Sequence, residues 1–227
     1  MKKLRLIAAL PFLLATTAGG TASAFAEEKK EEIHVVPYGG WGLYTDEGSS
    51  QVEMSYNLVY RCKSGGFHQH YGKENLIVNN ILALGRNNQL QCTRAEGHRS
   101  FTFRRNIVLT HGEPLMKGRW EEADIDADYN CYWDLTRTPD FCGKRFEAWK
   151  RKKEPHSVMA DPGFIDPTKG DFRFRQRRVT RKIGFEPFRP EEAGVYGDEA
   201  WKQKARLPEA VCRAFDAAVK KNMASPE

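Results

Sequence analysis

The 227-residue sequence has no apolar run long enough to cross a membrane. Its most apolar stretch, Leu6 to Leu14, is broken by Thr16, Thr17, Gly19 and Gly20, well short of the roughly 20 residues a span needs. It also lacks C-x-x-C spacing among Cys62, Cys92, Cys131, Cys142 and Cys212, which excludes the common structural zinc sites. An odd number of cysteines leaves at least one thiol unpaired, while Cys131 and Cys142 would close a short disulfide loop. The repeats described below hold almost no helical periodicity and no L-x-x-L-x-L skeleton, which sets aside a leucine-rich solenoid.

Nor is there a real excess of one charge. Lys2, Lys3 and Arg5 precede the apolar stretch, and Ala24-Phe25-Ala26 places small residues where signal peptidase reads. Residues 1–26 therefore read as a Sec signal peptide cleaved after Ala26, giving a secreted or periplasmic protein with no membrane contact after cleavage. Removing them takes three of the 36 basic residues and none of the 30 acidic ones, so the net charge falls from +6 to +3. That balance argues against a nucleic-acid partner. Residues 27–33 form a charged linker.

What is present is a repeat. Asn57, Asn80, Asn106 and Asn130 recur at spacings of 23, 26 and 24 residues. Apolar residues alternate around each: Met54, Ile77, Phe103 and Ala127 three before; Leu58, Ile81, Ile107 and Cys131 one after; Tyr60, Ala83, Leu109 and Trp133 three after. The column five before is Val52, Asn75, Phe101 and Ile125. Period-two patterning means half-buried strands, and a repeat of this length stacks one turn on the next. The fold expected is all-β, a right-handed parallel β-helix (a pectate-lyase-like solenoid) of about four coils over residues 34–134. The recurring asparagine suits a left-handed corner and an amide ladder between coils. A loop-rich extension, 135–200, is expected to pack on the coils, with a short helix at Phe146 to Arg151. Leu207, Val211, Phe215 and Val219 predict a terminal helix within 201–227 that caps the open end or lies along its side.

Two loops carry the candidate chemistry, Gly39 to Ser50 and Gly65 to Gly72. Aligning Gly42 with Gly66 and Gly48 with Gly72 sets Tyr44 over His68 and Asp46 over His70. Strand spacing and rise make these four a square of roughly 5 Å by 7 Å. The candidate catalytic residues are Asp46, His68 and His70, with the carboxylate expected to raise both imidazole pKa values. Candidate substrate contacts are Trp41, Tyr44, Glu47, Gln69, Gln91 and Arg94, with Glu47 turned to the other face or into the turn. Two histidines and one carboxylate leave a metal centre as an alternative, although no metal or other cofactor is expected. The acidic run Glu121, Glu122, Asp124, Asp126 and Asp128 reads as a solvated face.

The stretches Gly39 to Ser50, Gly65 to Asn80 (with Gly-Phe-His-Gln-His-Tyr-Gly), Gln89 to Asn106, Ala160 to Phe164, Gly170 to Arg173 and Ala193 to Asp198 resemble secreted β-helix proteins near glycoside hydrolase family 141. The resemblance implies a carbohydrate substrate, such as a plant or algal polysaccharide, and no cofactor. Cys92 departs from it, standing where the family usually carries Arg. The chain also looks shorter than such proteins, a trimmed variant or a fragment. Three functions follow: a glycoside hydrolase using Asp46; a polysaccharide lyase with His68 or His70 as base and Arg94 or Arg104 opposite a uronate; or a carbohydrate-binding β-helix without catalysis. Oligomeric state is left open.

Overall fold

A computed structural model describes residues 7–8, 40–214 and 217. The chain divides into two compact units, one of Met1–Ala9 with Gly39–Gly194 and one of Leu10–Tyr38 with Val195–Glu227. The first is a parallel β-helix of about five turns. Three sheets run along it. The first stacks Trp41–Thr45, Gly65–Gln69, Leu90–Cys92 and Met116–Gly118. The second stacks Glu53–Ser55, Asn75–Val78, Arg99–Arg104 and Asp124–Asp128. The third stacks Leu58–Tyr60, Ile81–Ala83, Ile107–Thr110, Cys131–Asp134 and Val158–Met159, with Ile7–Ala8 pairing in parallel at its Leu58–Val59 edge.

The corner between the second and third sheets carries the asparagines. Each amide nitrogen reaches the oxygen of the next coil's asparagine: Asn57 to Asn80 at 2.9 Å, Asn80 to Asn106 at 3.1 Å, Asn106 to Asn130 at 3.3 Å. Each of those oxygens also accepts the backbone N–H of the asparagine below it. The second amide hydrogen of Asn80, Asn106 and Asn130 goes to the carbonyl of Met54, Ile77 and Phe103. The left-handed residue of the bend is the one before each asparagine, at Tyr56, Asn79, Arg105 and Tyr129, all with φ between 54° and 58°. The asparagine itself is spared because its side chain is needed across the coils. The preceding residue takes the conformation that an L residue adopts at a cost of about 1 kcal/mol or more.

A fifth coil, one more than the sequence suggests, exists because Ser157 continues the column. Val158 pairs with Cys131 and Met159 with Tyr132, which sets Ser157 over Asn130. Its hydroxyl accepts the Asn130 N–H at 2.8 Å, and the Asn130 amide goes instead to Glu154 Oε2 at 3.0 Å. Glu154 is fully buried and also accepts from Tyr132 OH, Trp149 Nε1 and Ser157 Oγ. Burial pushes its pKa up, against the pull of those donors.

The corner also switches which parity faces inward. Ile77, Phe103 and Ala127 point into the β-helix, as do Val59, Leu82, Val108 and Tyr132 after the bend. The columns one and three after the asparagine point outward, into a second core with Phe164, Phe172, Ile183 and Phe185 of the extension. The third sheet is thus covered on both faces, which explains its nearly continuous apolar strands. Asn79 anchors the extension there by exchanging two hydrogen bonds with the backbone of Glu186, at 2.7 and 2.8 Å.

Helix α1, Phe146–Lys153, closes the C-terminal end of the inner core with Phe146 and Trp149 buried beside Phe141 and Tyr132. The extension continues through α2, Arg178–Ile183. In the second unit, α3 spans Glu199–Lys204 and is capped by the Asp198 carboxylate; residues 209–214 are helical. Phe215 and Val219 of the predicted terminal helix lie outside the described residues, as do the linker and the signal segment apart from residues 7–8. No disulfide forms: Cys131 sits in the outer core and Cys142 against the inner one, and all five thiols are free.

Asn106→Ala is expected to cost about 3 kcal/mol, since it strands two donors of Asn80 in a buried corner. Glu154→Gln should cost about 2 kcal/mol by turning an amide N–H toward donors. Urea unfolding of both variants checks these values; a neutral Asn106→Ala would mean the ladder follows register without setting it.

Candidate functional site

The site lies on the outer face of the first sheet, where register alone places it. Tyr44 pairs with His68 and Thr45 with Gln69 across the first two coils, and His68 pairs with Gln91 across the next. Gly42 and Gly66 make the stacking possible. A Cβ on Gly42 would come within 2.0 Å of Val59 Cγ1, and one on Gly66 within 2.2 Å of Gln89 Nε2, so both turn inward where no side chain fits.

His68 is the centre of the face, and it is covered. Tyr44 stacks on its ring at 4.9 Å and 13°, Trp41 lies at 4.4 Å, and His70 stands edge-on at 6.3 Å. Only 3% of His68 is exposed. Trp41 is fixed from two coils away by Gln91, which accepts its indole N–H at 3.3 Å. His68 Nε2 is bonded to Thr93 Oγ1, while Nδ1 is buried without a partner among the described residues.

At His68 these contacts reverse the expected electrostatics. Burial, helped by the neighbouring His70, pushes the His68 pKa down from 6.5 to about 4, and the opposing effect of Asp46 is weaker. His68 is therefore neutral at neutral pH. Asp46 is exposed, accepts the Tyr44 hydroxyl at 2.8 Å, and is held below the usual carboxylate range first by that bond and then by the Glu47 N–H. Its partner is the tyrosine two residues before it, in the strand that it follows. Glu47, expected to turn away, has its carboxylate 3.9 Å from His70 Nε2.

Gln69, expected to contact substrate, does not line this face. It is completely buried, accepting from Thr45 and Asn75 and donating to the carbonyls of Gly72 and Ser100, so it organises the corner and cannot touch a substrate. Arg94 lies over the ring of Tyr71 at 4.5 Å, and Tyr71 lies 5.3 Å from His70. Sequence reasoning gave Tyr71 no role, although an aromatic between His70 and Gly72 at the edge of the face was the available signal. By register Thr93 stands opposite His70, yet its hydroxyl reaches His68.

Because His70 turns to Glu47 and Asp46 to Tyr44, the two-histidine, one-carboxylate set is not assembled. Among the described residues no group of three or more His, Cys, Asp or Glu side chains is placed to hold a metal ion. The acidic run is paired residue by residue: Asp124 and Asp126 with Arg99 and Arg104, Glu121 with Lys144, Glu122 with Arg119, Asp128 with His156. No family model, curated protein or solved structure matches the chain.

The lowered His68 pKa has a consequence for stability. The unfolded chain takes up this proton near pH 6.5 and the folded one only near pH 4. Its contribution is fully present above pH 6.5 and declines as pH falls toward 4. His68→Phe should flatten that part of the stability profile, measured by urea unfolding across pH; an unchanged slope would show that His68 ionises freely.

Proposed function

We propose that this chain is an extracytoplasmic carbohydrate-active protein, a glycoside hydrolase acting on a polysaccharide that lies across the Trp41–Tyr44–His68 face. The observation that carries the reading is the clustering of partly exposed aromatic rings beside the Asp46 carboxylate, which a hydroxyl holds ionised. Aromatic faces suit the C–H faces of pyranose rings, and their polar tips suit sugar hydroxyls. The signal-like N-terminus and the resemblance of Gly65 to Gly72 and its flanking stretches to family 141 support the same reading. We place Asp46 as nucleophile or base, since a carboxyl kept ionised cannot be the acid. The proton donor falls to His70 with Glu47 beside it. His68 orients the platform, and Gln91 acts through Trp41.

A second reading is glycan binding without turnover. Hydrolysis needs a proton donor. The two groups whose charge this face settles are an ionised carboxylate and a neutral imidazole, and neither is an acid at neutral pH. The lyase reading keeps His70 as its base, because His68 with a pKa of about 4 is too weak a base at neutral pH.

A polysaccharide panel separates the three. Release of reducing ends without ultraviolet absorbance is the expected result, and Asp46→Asn should lower it on the order of a thousandfold. The melting transition should not move, since Asp46 is exposed. Unsaturated products absorbing in the ultraviolet would assign a lyase. Retention without product would assign a binding protein, and activity surviving in Asp46→Asn would remove that residue from the mechanism.

A further inference from the structure

A second site lies on the C-terminal side of the β-helix, where a cleft of about 420 Å³ opens between α1, the strand Val158–Met159 and α2. Lys150 reaches it from α1, and Arg178 and Lys182, one turn apart, from α2. None of the three forms an ion pair among the described residues, although the acidic run nearby is paired throughout. Two carboxylates share the lining, and one of them, Asp161, already accepts the Gly163 N–H at 2.8 Å. The wider surroundings are basic. Arg151, Lys152 and Lys153 follow Lys150, and residues 173–182 hold five arginines and a lysine with no Asp or Glu. A chain with almost balanced charge thus concentrates its positive potential at a concavity.

We infer that this cleft binds the acidic groups of an anionic polysaccharide. The floor decides the class of ligand. Met159 and the half-buried Val179 offer aliphatic surface of the sort that covers the C–H face of a sugar ring. The single aromatic in the lining, Phe146, is only 4% exposed, so there is no platform on which a nucleic-acid base could stack. Carboxylate and sulfate groups present the same charge-assisted acceptors to Lys and Arg. The inference rests on the carbohydrate reading above and extends it: the polymer is acidic, and its charges are read away from the aromatic face.

The test measures binding of the full chain to polygalacturonate, dextran sulfate, neutral xylan and a single-stranded DNA oligonucleotide. Polygalacturonate or dextran sulfate should bind, the stronger of the two identifying the acid group, and affinity should fall steeply with added salt. The substitutions K150Q, R178Q and K182Q combined should weaken that binding by about tenfold or more while xylan binding stays unchanged. Trp41→Ala should instead weaken xylan. Acidic-polymer binding that survives the triple variant overturns the inference, as does a DNA oligonucleotide bound more tightly than either acidic glycan. Xylan bound without preference for acidic polymers also overturns it and leaves the carbohydrate reading standing. If neither glycan class binds, the carbohydrate reading itself fails.

Discussion

Everything in the β-helix depends on a hydrogen-bonding rule that an asparagine side chain satisfies and few others can. Its oxygen accepts twice from the coil below, once from a main-chain N–H and once from the neighbouring amide, and its nitrogen donates twice. Only a planar group with one acceptor atom and one doubly protonated donor atom repeats itself indefinitely along an axis in this way. A serine accepts one of the two bonds and leaves the other homeless. That is why the ladder ends at Ser157 with a carboxylate beside it: Ser157 takes the Asn130 N–H and Glu154 takes the amide, and the indole of Trp149 ties the carboxylate to the capping helix. The termination of the repeat and the closing of the core are one network.

Register then carries the rest. Because successive asparagines are pinned to each other, every residue at a fixed distance from one stacks on its counterpart in the next coil. The first sheet inherits that order, so Tyr44 lies over His68 and Gln91 under it without any contact of their own deciding it. The chemistry of the face follows from how side chains fill that lattice. Glycines at 42 and 66 keep the inner wall clear, and the large rings go outward, where they close over His68. An imidazole so enclosed loses hydration that a nearby carboxylate in water cannot restore, so burial outweighs attraction.

The asparagine column was legible because one residue type recurs at a nearly constant spacing, and the period-two flanks because alternation is local; together they yielded the fold and the neighbours on the first sheet. The fifth coil was hidden because its corner residue changed identity and arrives after the loop and helix of 135–156. The division into two cores was hidden for a different reason. Parity arguments assume a straight strand, and a left-handed residue at Tyr56, Asn79, Arg105 or Tyr129 flips the face that follows. Gln69 and His68 misled because sequence shows that a polar side chain exists and says nothing about what covers it. Asn75 belongs with them: a polar residue in an apolar column, fully buried, whose amide is spent on Ser49, Gln69 and the Val52 N–H.

Charge shows how far such a solenoid separates structure from recognition. Along the second sheet, Arg99 stands over Asp124 of the next coil and Arg104 reaches Asp126 two positions along, so stacking turns unlike charges into pairs that cancel locally. A ladder of this kind has no net field to offer a ligand. The two basic helices are outside the lattice, and among the described residues Lys150, Arg178 and Lys182 form no ion pair. The aromatic face is within the lattice and presents rings and a neutral imidazole beside the Asp46 carboxylate. A polymer meeting this protein therefore encounters ring surfaces where the coils stack and positive charge where the stacking has ended, which is the arrangement expected if the two regions read different features of the same kind of molecule.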